Sequence, residues 1–363
     1  MSTNIKKAKA KILASLKADL KNKKQGNERT VIGLQGGAGV GKSESVVQVV
    51  KEFAEFQKLE FVENTSPTEK QYGFGIIQCS NTTASDLAIP TPTEDRKELR
   101  YAFNLSILPT KGSGTMLLDE VSQGDTDVQQ LLMALLRQRG LNGYLVPEGW
   151  TFVCAYNRPK DHAGASPVLK TLVDRATNIF DIEVDADAWI DWGTKNDIHP
   201  HVLALVKADN TLLDTLKDVR RGEKGSTPRS MQMLSDEYKN ILDGHYDEVG
   251  MTNKEIYTSV VGEQVGESFN TFLELVKEIP NVNDILKNPE DVETVDEPNV
   301  RYLLTFGLAH KVKSEKHFKN AMTYLQTFNQ SEYVTVFATA LINKVPELAE
   351  TKIYTDLKLT NYL

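Results

Sequence analysis

The most informative part of the sequence is one glycine-rich stretch, Gly36-Gly37-Ala38-Gly39-Val40-Gly41-Lys42-Ser43. An apolar run typical of a strand precedes it, and a segment with helical periodicity follows, which is the context in which G-x-x-x-x-G-K-[ST] binds phosphate. Its glycines let successive backbone N–H groups surround a phosphate at a helix N-terminus. We expect Lys42 to reach the β- and γ-phosphates and Ser43 to bind magnesium. A glycine-rich turn with an incidental lysine is the less economical interpretation, because pattern and context agree.

Composition favours an ordinary globular protein. The chain has 363 residues, 40% of them hydrophobic and 25% charged, which allows two or three structural units. Its two cysteines, Cys79 and Cys154, cannot form a disulfide framework, and no Cys/His spacing resembles a zinc site. No apolar run approaches the roughly 18 residues of a spanning helix. We therefore expect a cytoplasmic protein that does not insert into membranes.

Charge is distributed unevenly along the chain. The net charge of −8 divides into +7 over residues 1–24 and −15 over the remainder. Residues 1–25 are predicted to form a basic amphipathic helix, with apolar residues at helical spacing from Ile5 to Leu20. A surface helix and an arm that contacts an acidic partner or nucleic acid both remain open. A body that coats nucleic acid is disfavoured, because it would need a basic face.

Short apolar runs alternate with helical stretches after Thr30, as in a parallel sheet with crossover helices. The predicted strands are Thr30–Leu34, Phe74–Gln78, Thr115–Leu118, Thr151–Ala155 and Asn178–Ile182. The predicted helices are Ser43–Lys58 and Thr126–Arg139, and a small hairpin is predicted for Leu141–Pro147. Beyond Asp185 helical periodicity dominates, and the acidic stretch from Asp284 to Pro298 is interpreted as a solvated linker.

Two further strands end in residues suited to phosphate chemistry. Met116-Leu-Leu-Asp119-Glu120 ends in two acids, of which Asp119 is expected to ligate magnesium and Glu120 to act as general base on water. The strand from Thr151 leads into Asn157, whose amide is suited to orienting that water. By contrast, His199-Pro-His201 lacks a third metal ligand nearby and is interpreted as structural or exposed.

This order of motifs resembles AAA+ ATPases, and among them the MoxR family, over roughly residues 26–270. The phosphate loop resembles Walker A, Leu117 to Glu120 resembles Walker B, and Asn157 resembles sensor 1. The resemblance implies a P-loop NTPase core at 26–185, with a helix-2 insert hairpin near 141–148, and an all-α lid domain at 186–363. Gln78–Pro90 is similar to the stretch after the second strand of that family.

The resemblance also implies two catalytic arginines. Arg175 in Leu172-Val-Asp-Arg175 matches the arginine-finger position, although Ala176 replaces the usual aromatic residue. Arg229 in Thr227-Pro-Arg229 resembles sensor 2. A permanently charged, planar guanidinium is suited to stabilising the charge that builds on phosphoryl oxygens.

These expectations amount to a magnesium-dependent ATPase. A finger acting on a neighbour's nucleotide requires a homo-oligomer, and the resemblance implies a hexameric ring. It also implies remodelling or maturation of a client protein, a von Willebrand A-domain partner, and raises a phage or prophage origin. The alternatives are a DNA-directed motor or restriction-system subunit, supported by the basic N-terminal helix, and a small-molecule kinase, which the placement of Glu120 and Asn157 disfavours. GTP in place of ATP remains open.

Overall fold

The chain divides into two units, Met1–Glu183 and Val184–Leu363. The first unit is built on a parallel β-sheet of seven strands. The computed structural model describes residues 2–158, 174–220, 222–246 and 250–359. The sheet has the order β1-β11-β2-β10-β7-β4-β3, and all of its neighbours are parallel. Its strands are β1 (Ser2–Asn4), β2 (Ile32–Gly36), β3 (Glu60–Val62), β4 (Gln71–Gln78), β7 (Ser113–Asp119), β10 (Gly149–Tyr156) and β11 (Asn178–Glu183).

Helices cover both faces of this sheet, which explains why its strands are apolar throughout. The first unit contains α1 (Ile5–Lys21), α2 (Lys42–Phe56), α3 (Ala84–Leu87) and α4 (Thr126–Gln138). Side chains of β10 alternate between the two faces: Val153 and Ala155 belong to a cluster with residues of α1 and α2, whereas Phe152 and Cys154 belong to a cluster with residues of α4. This period of two locks the register of the central strand.

The strand order places a topological switch point at β2. Its neighbours β10 and β11 both come later in the chain, and the connection that leaves β2 leads to β3 at the far edge of the sheet. Open parallel sheets bind ligands at the carboxyl ends of the strands that flank such a point. The carboxyl end of β2 is where the glycine-rich stretch begins.

Two hairpins project from the first unit. The shorter one, β8 (Gly140–Leu141) with β9 (Tyr144–Leu145), overlaps the hairpin predicted for Leu141–Pro147 and begins one residue before it. The longer one, β5 (Ala88–Pro92) with β6 (Leu99–Phe103), is not anticipated by the sequence analysis. The two are linked by a ring contact between Phe103 and Tyr144, whose centroids lie 5.6 Å apart.

In the described residues of the second unit, the regular secondary structure is all helical. Its helices are α5 (Ala186–Lys195), α6 (Pro200–Ala208), α7 (Pro228–Leu242), α8 (Asn253–Val261), α9 (Glu263–Glu274), α10 (Val282–Lys287), α11 (Pro298–Lys311), α12 (Glu315–Gln326), α13 (Ser331–Lys344) and α14 (Lys352–Leu359). The interpretation of 284–298 as a solvated linker is wrong for its first part. Helix α10 occupies that part, and it buries Ile285 and Leu286 in the helical core.

The predicted fold class is confirmed: the chain combines an α/β P-loop core with a C-terminal helical unit. All five predicted core strands are present, each within a few residues of its predicted limits. None of the helices in the described ranges is long and apolar enough to span a bilayer.

Candidate nucleotide site

The glycine-rich stretch forms a loop between β2 and α2. Gly39 and Gly41 have φ values of +72° and +90°, in the left-handed region that favours glycine. The left-handed Gly41 is the N-cap of α2, so the first turn of the helix begins directly at the loop. These backbone angles explain why glycines suit both positions, of which the pattern fixes Gly41, and they direct a helix N-terminus towards the loop.

Lys42 is the most enclosed cation of the site, with 8% of its surface exposed. Its Nζ donates to the carbonyl oxygens of Gly36 (2.9 Å) and Gly37 (2.7 Å) and to Oδ1 of Asn157 (2.9 Å). A buried ammonium group needs such acceptors, because desolvation is costly. The predicted phosphate-loop lysine and the predicted water-orienting asparagine are therefore in direct contact, although 115 residues separate them in sequence.

A second contact joins the two predicted magnesium ligands. The Ser43 hydroxyl donates to Oδ2 of Asp119 at 2.6 Å, across 76 residues of sequence. Asp119 ends β7, and Ser43 opens the first turn of α2. Hydroxyl and carboxylate oxygens are ligands that magnesium prefers, so the donor set fits this ion. Ser43 and Asp119 would hold it.

Glu120 follows Asp119 in an unusual backbone conformation. Its φ is +53°, uncommon for a residue with a side chain, and its N–H donates to Oδ1 of Asp119 at 3.0 Å. The side-chain carboxylate accepts a hydrogen bond from the Ser80 hydroxyl, which lies just beyond β4. The left-handed turn thus separates the two acids: Asp119 lies beside Ser43 and Glu120 beside Ser80.

Asn157 is fixed on two sides at the end of β10. Only 6% of its surface is exposed. Its N–H donates to Oγ of Ser122 at 3.1 Å, while its side-chain oxygen accepts from Lys42. Ser122 lies in the short 3-10 helix Val121–Gln123 that follows Glu120, so the end of β10 is tied to the acidic turn after β7.

The two arginines implied by the resemblance lie in different units. Arg175 is exposed in the first unit, three residues before β11, and Leu172 and Val173 of its motif lie outside the described residues. Arg229 is exposed in the first turn of α7, in the second unit. Arg158, next to Asn157, instead forms an ion pair with Asp181 of β11 at 3.2 Å.

Other titratable residues singled out in the sequence have structural environments. His201 Nδ1 lies 2.9 Å from the Tyr238 hydroxyl, and His199 Nδ1 accepts from the N–H of His201. Burial lowers the pKa of His199 to about 3 and that of His201 to about 4. Burial raises the pKa of the Cys79 and Cys154 thiols, so both stay protonated. Among the described residues, no group of three or more histidine, cysteine, aspartate or glutamate side chains is placed to hold a metal ion.

Sequence reasoning missed Ser80 and Ser122. Each contacts a predicted site residue through a single hydroxyl, and each follows a strand whose carboxyl end lies at the same edge of the sheet. The available signal was the position of Ser80 two residues after β4, next to β7 in the sheet. Strand order is needed to use that signal, and sequence does not supply it.

Comparisons with known proteins give likeness in structure only. No family model and no curated protein matches the chain. Among solved structures, a proline-to-glycine mutant of Thermotoga maritima RuvB has a TM-score of 0.43 at 11% identity, covering 88% of each chain. T. maritima RuvB, described as a Holliday junction branch migration motor, has a TM-score of 0.37 at 12% identity, covering 88% of this chain and 87% of that one.

Brucella abortus NtrX in complex with ATP has a TM-score of 0.38 at 11% identity, covering 96% of this chain and 67% of that one. Likeness at this level assigns neither a family nor an activity to the chain. The function has to be argued from the contacts around Lys42 and Asp119.

Proposed function

We propose that the protein is a magnesium-dependent ATPase of the AAA+ class, similar to MoxR proteins, which works in an oligomeric ring on a client protein. One observation carries the ATPase part: three segments distant in sequence converge at one edge of the sheet. Lys42 contacts Asn157, and Ser43 contacts Asp119. Phosphate-binding, metal-binding and water-orienting groups are then in place together, as hydrolysis of a nucleoside triphosphate requires.

The chemistry assigns a separate task to each group. Backbone N–H groups of the loop and Lys42 hold the β- and γ-phosphates. Ser43 and Asp119 would hold magnesium, which would supply positive charge to neutralise the phosphates. Glu120 accepts a proton from water as the water oxygen bonds to the γ-phosphorus and the bond to the bridging oxygen breaks, giving ADP and phosphate. Asn157 orients the water.

The choice of Glu120 as base follows from its surroundings. It is half-buried, and its described hydrogen-bond partner is the neutral hydroxyl of Ser80, so its carboxylate keeps acceptor capacity for a water proton. Asp119 is 8% exposed and is engaged by Ser43 and by the N–H of Glu120. The two adjacent acids are therefore suited to different roles, which supports hydrolysis over transfer to a metabolite.

Arg175 is proposed to complete the site of a neighbouring subunit, and Arg229 to contact the nucleotide from the helical unit. The exposure of Arg175 supports the first role, because a finger acting in trans has to be accessible. Its position before β11 connects it to the strand beside β2. A homo-oligomer, with a hexamer as the expected size, follows from a finger supplied in trans.

ATP binding and turnover test the ATPase proposal. We expect Lys42→Ala to weaken binding of a fluorescent ATP analogue by about 100-fold, because it removes a charged contact to phosphate. Lys51→Ala is the matched control: Lys51 belongs to the same helix, but its Nζ lies 5.1 Å from the centroid of the Phe61 ring. Equal binding by the wild type and Lys42→Ala would contradict the proposal.

The client is tested by capture on a trapped ring. Glu120→Gln, loaded with ATP and magnesium, should retain a client or a von Willebrand A-domain partner that Lys42→Ala does not retain.

A second candidate function, a DNA-directed motor, has one observation in its favour: lysines of α1 are exposed. Turnover that rises severalfold with duplex DNA, and no longer does so when these lysines are changed to glutamate, would favour the motor.

A further inference from the structure

Helix α1 carries a stripe of lysines along its outer face. Lys7, Lys11 and Lys21 are exposed, and at 3.6 residues per turn they share an arc of about 80° that runs for about 21 Å. Ala14 and Ala18, which are also exposed, lie between them in the same arc. Alanines leave room for a partner surface to approach the helix. We call these five residues the lysine stripe.

The rest of α1 is engaged within its own unit. Ala8, Ile12 and Leu16 are buried in the cluster shared with α2. On the flank, Lys9 Nζ donates to Gln48, and Lys17 Nζ lies 4.3 Å from the centroid of the Phe56 ring. The helix is therefore fixed to the sheet, and the lysine stripe faces away from this packing. For the three stripe lysines, no ion pair is found among the described residues.

The position of Lys7 is unfavourable for the helix itself. Lys7 lies in the first turn of α1, which contains no acidic residue. The N-terminus of a helix carries partial positive charge, so a lysine there is disfavoured and an acid is preferred. Lys21 lies in the last turn, where the partial negative charge of the helix C-terminus favours a lysine. Lys7 lies at the opposite, disfavoured end. Departures from local preference without local compensation are expected where a surface serves another purpose.

The two units differ in net charge. The first unit has 23 basic and 21 acidic residues, a net charge of +2, whereas the second has 19 and 29, a net charge of −10. Two copies of net charge −8 repel each other overall, but at short range the basic stripe of one copy is attracted to an acidic surface of the other. The helical unit of another copy supplies an acidic surface, and a ring contains one helical unit for every lysine stripe.

We propose that the lysine stripe binds the acidic helical unit of a second copy of this chain. The inference rests on the proposed ring, to which it adds a contact between subunits. Charged groups at the edge of a protein–protein interface mainly raise the association rate and set the relative orientation of the partners, and they add less to the affinity. The stripe thus selects which surface of the neighbouring copy is engaged, and its contribution to assembly decreases with added salt.

Zero-length cross-linking tests this contact on the full chain. Unlabelled and uniformly 15N-labelled Glu120→Gln protein are mixed, assembled with ATP and magnesium, and treated with a carbodiimide. We expect mixed-isotope peptides that join Lys7, Lys11 or Lys21 to carboxylates of residues 184–363. Links from these lysines only within one copy, or only to residues of the first unit, would overturn the proposal.

Matched charge reversals provide the second measurement. In the same Glu120→Gln background, Lys7→Glu, Lys11→Glu and Lys21→Glu combined should raise the midpoint concentration of assembly about tenfold, as loss of three exposed ion pairs implies. The control combines Lys70→Glu, Lys97→Glu and Lys111→Glu, three exposed lysines elsewhere in the first unit. Arginine at the stripe positions should preserve assembly and abolish the cross-links.

The outcomes separate this inference from the proposed function. If the parent protein assembles and the two glutamate variants behave alike, the stripe proposal is wrong and the ring stands. If the parent protein does not assemble with ATP, the ring itself fails, and the stripe proposal fails with it. Salt-sensitive binding of duplex DNA that depends on the stripe, with assembly unchanged, would assign the stripe to nucleic acid instead.

Discussion

The two units bury different kinds of polar group. In the first unit the buried polar residues include four charged ones, Asp19, Lys42, Asp119 and Arg139. In the described part of the second unit, the buried polar residues are all hydroxyl-bearing, and its largest buried side chains are aromatic. Burying a charge is costly unless it is paired, so each of the four charges in the first unit requires a compensating structure or a function.

Two of the four buried charges have structural roles. Asp19 accepts from the N–H and hydroxyl of Thr30, and the Nη2 of Arg139 donates to the carbonyls of Pro147 and Trp150. The other two, Lys42 and Asp119, lie at the carboxyl edge of the sheet beside the glycine-rich loop. Buried charge alone therefore does not define a site. The candidate site is distinguished by the convergence of such charges with the glycine-rich loop at the carboxyl edge of the sheet.

The largest expected effect tests whether the site needs a second subunit. Replacing Arg175 with alanine should lower turnover by about 10³- to 10⁵-fold in the assembled protein, since a finger stabilises charge in the transition state. ATP affinity should be nearly unchanged. The measurement is steady-state turnover at a fixed protein concentration, with Arg158→Ala as the control, because Arg158 is paired with Asp181. Equal decreases in turnover for Arg175→Ala and Arg158→Ala would show that Arg175 has no special role.

A smaller effect is expected inside the first unit at Asn157. Asn157→Ala removes the water-orienting amide and one acceptor of Lys42, and turnover should decrease by about 10²- to 10³-fold. Asn157→Asp keeps an acceptor oxygen for Lys42 and so separates the two losses. If nucleotide affinity decreases as much as turnover in Asn157→Ala but not in Asn157→Asp, the residue positions Lys42 and does not orient water.

The second unit should respond to acid. His199 and His201 are held neutral, with pKa values lowered by burial to about 3 and about 4. Their stabilising contribution is complete above the unfolded pKa of about 6.5 and decreases as the pH falls towards those values. The free energy of unfolding should decrease by at most about 1.4 kcal/mol per pH unit for each histidine.

Fluorine-labelled tryptophan makes this loss of stability observable by unit, since Trp150 lies in the first unit and Trp189 and Trp192 in the second. His199→Asn should flatten the pH dependence, because asparagine keeps the N-cap acceptor of α6 without titrating. A slope that is unchanged in His199→Asn would exclude His199 as a source.

The sequence predicted which residues lie together at the carboxyl edge of the sheet better than it predicted the contacts around them, for physical reasons. Phosphate binding requires glycines and a lysine at fixed spacing, and parallel strands place their carboxyl ends together, so Lys42, Asp119 and Asn157 were predictable. The contacts of Ser80 and Ser122 depend on strand order, which single-sequence periodicity does not contain. The hairpin Ala88–Phe103 was missed because its strands have no regular alternation of polar and apolar residues.

The helical unit was predicted only in outline. Its helices follow from periodicity, but the acidic composition around α10 concealed the apolar pair Ile285 and Leu286, which lies in the core. Which helices pack together depends on side-chain shape, as in the contact of Tyr257 with Phe269, whose centroids are 5.0 Å apart. Composition does not encode such pairings. The roles of Arg175 and Arg229 stay predictions that rest on a family resemblance.

Glu120 is proposed as the general base of an ATP-hydrolysing site, and Glu120→Gln tests this role most directly. Glutamine keeps the shape and an acceptor oxygen for Ser80 but cannot take a proton from water. ATP binding measured by calorimetry should remain within about twofold of wild type, while single-turnover hydrolysis falls by about 10²- to 10⁴-fold. Hydrolysis at the wild-type rate in Glu120→Gln would contradict the role of Glu120 as general base.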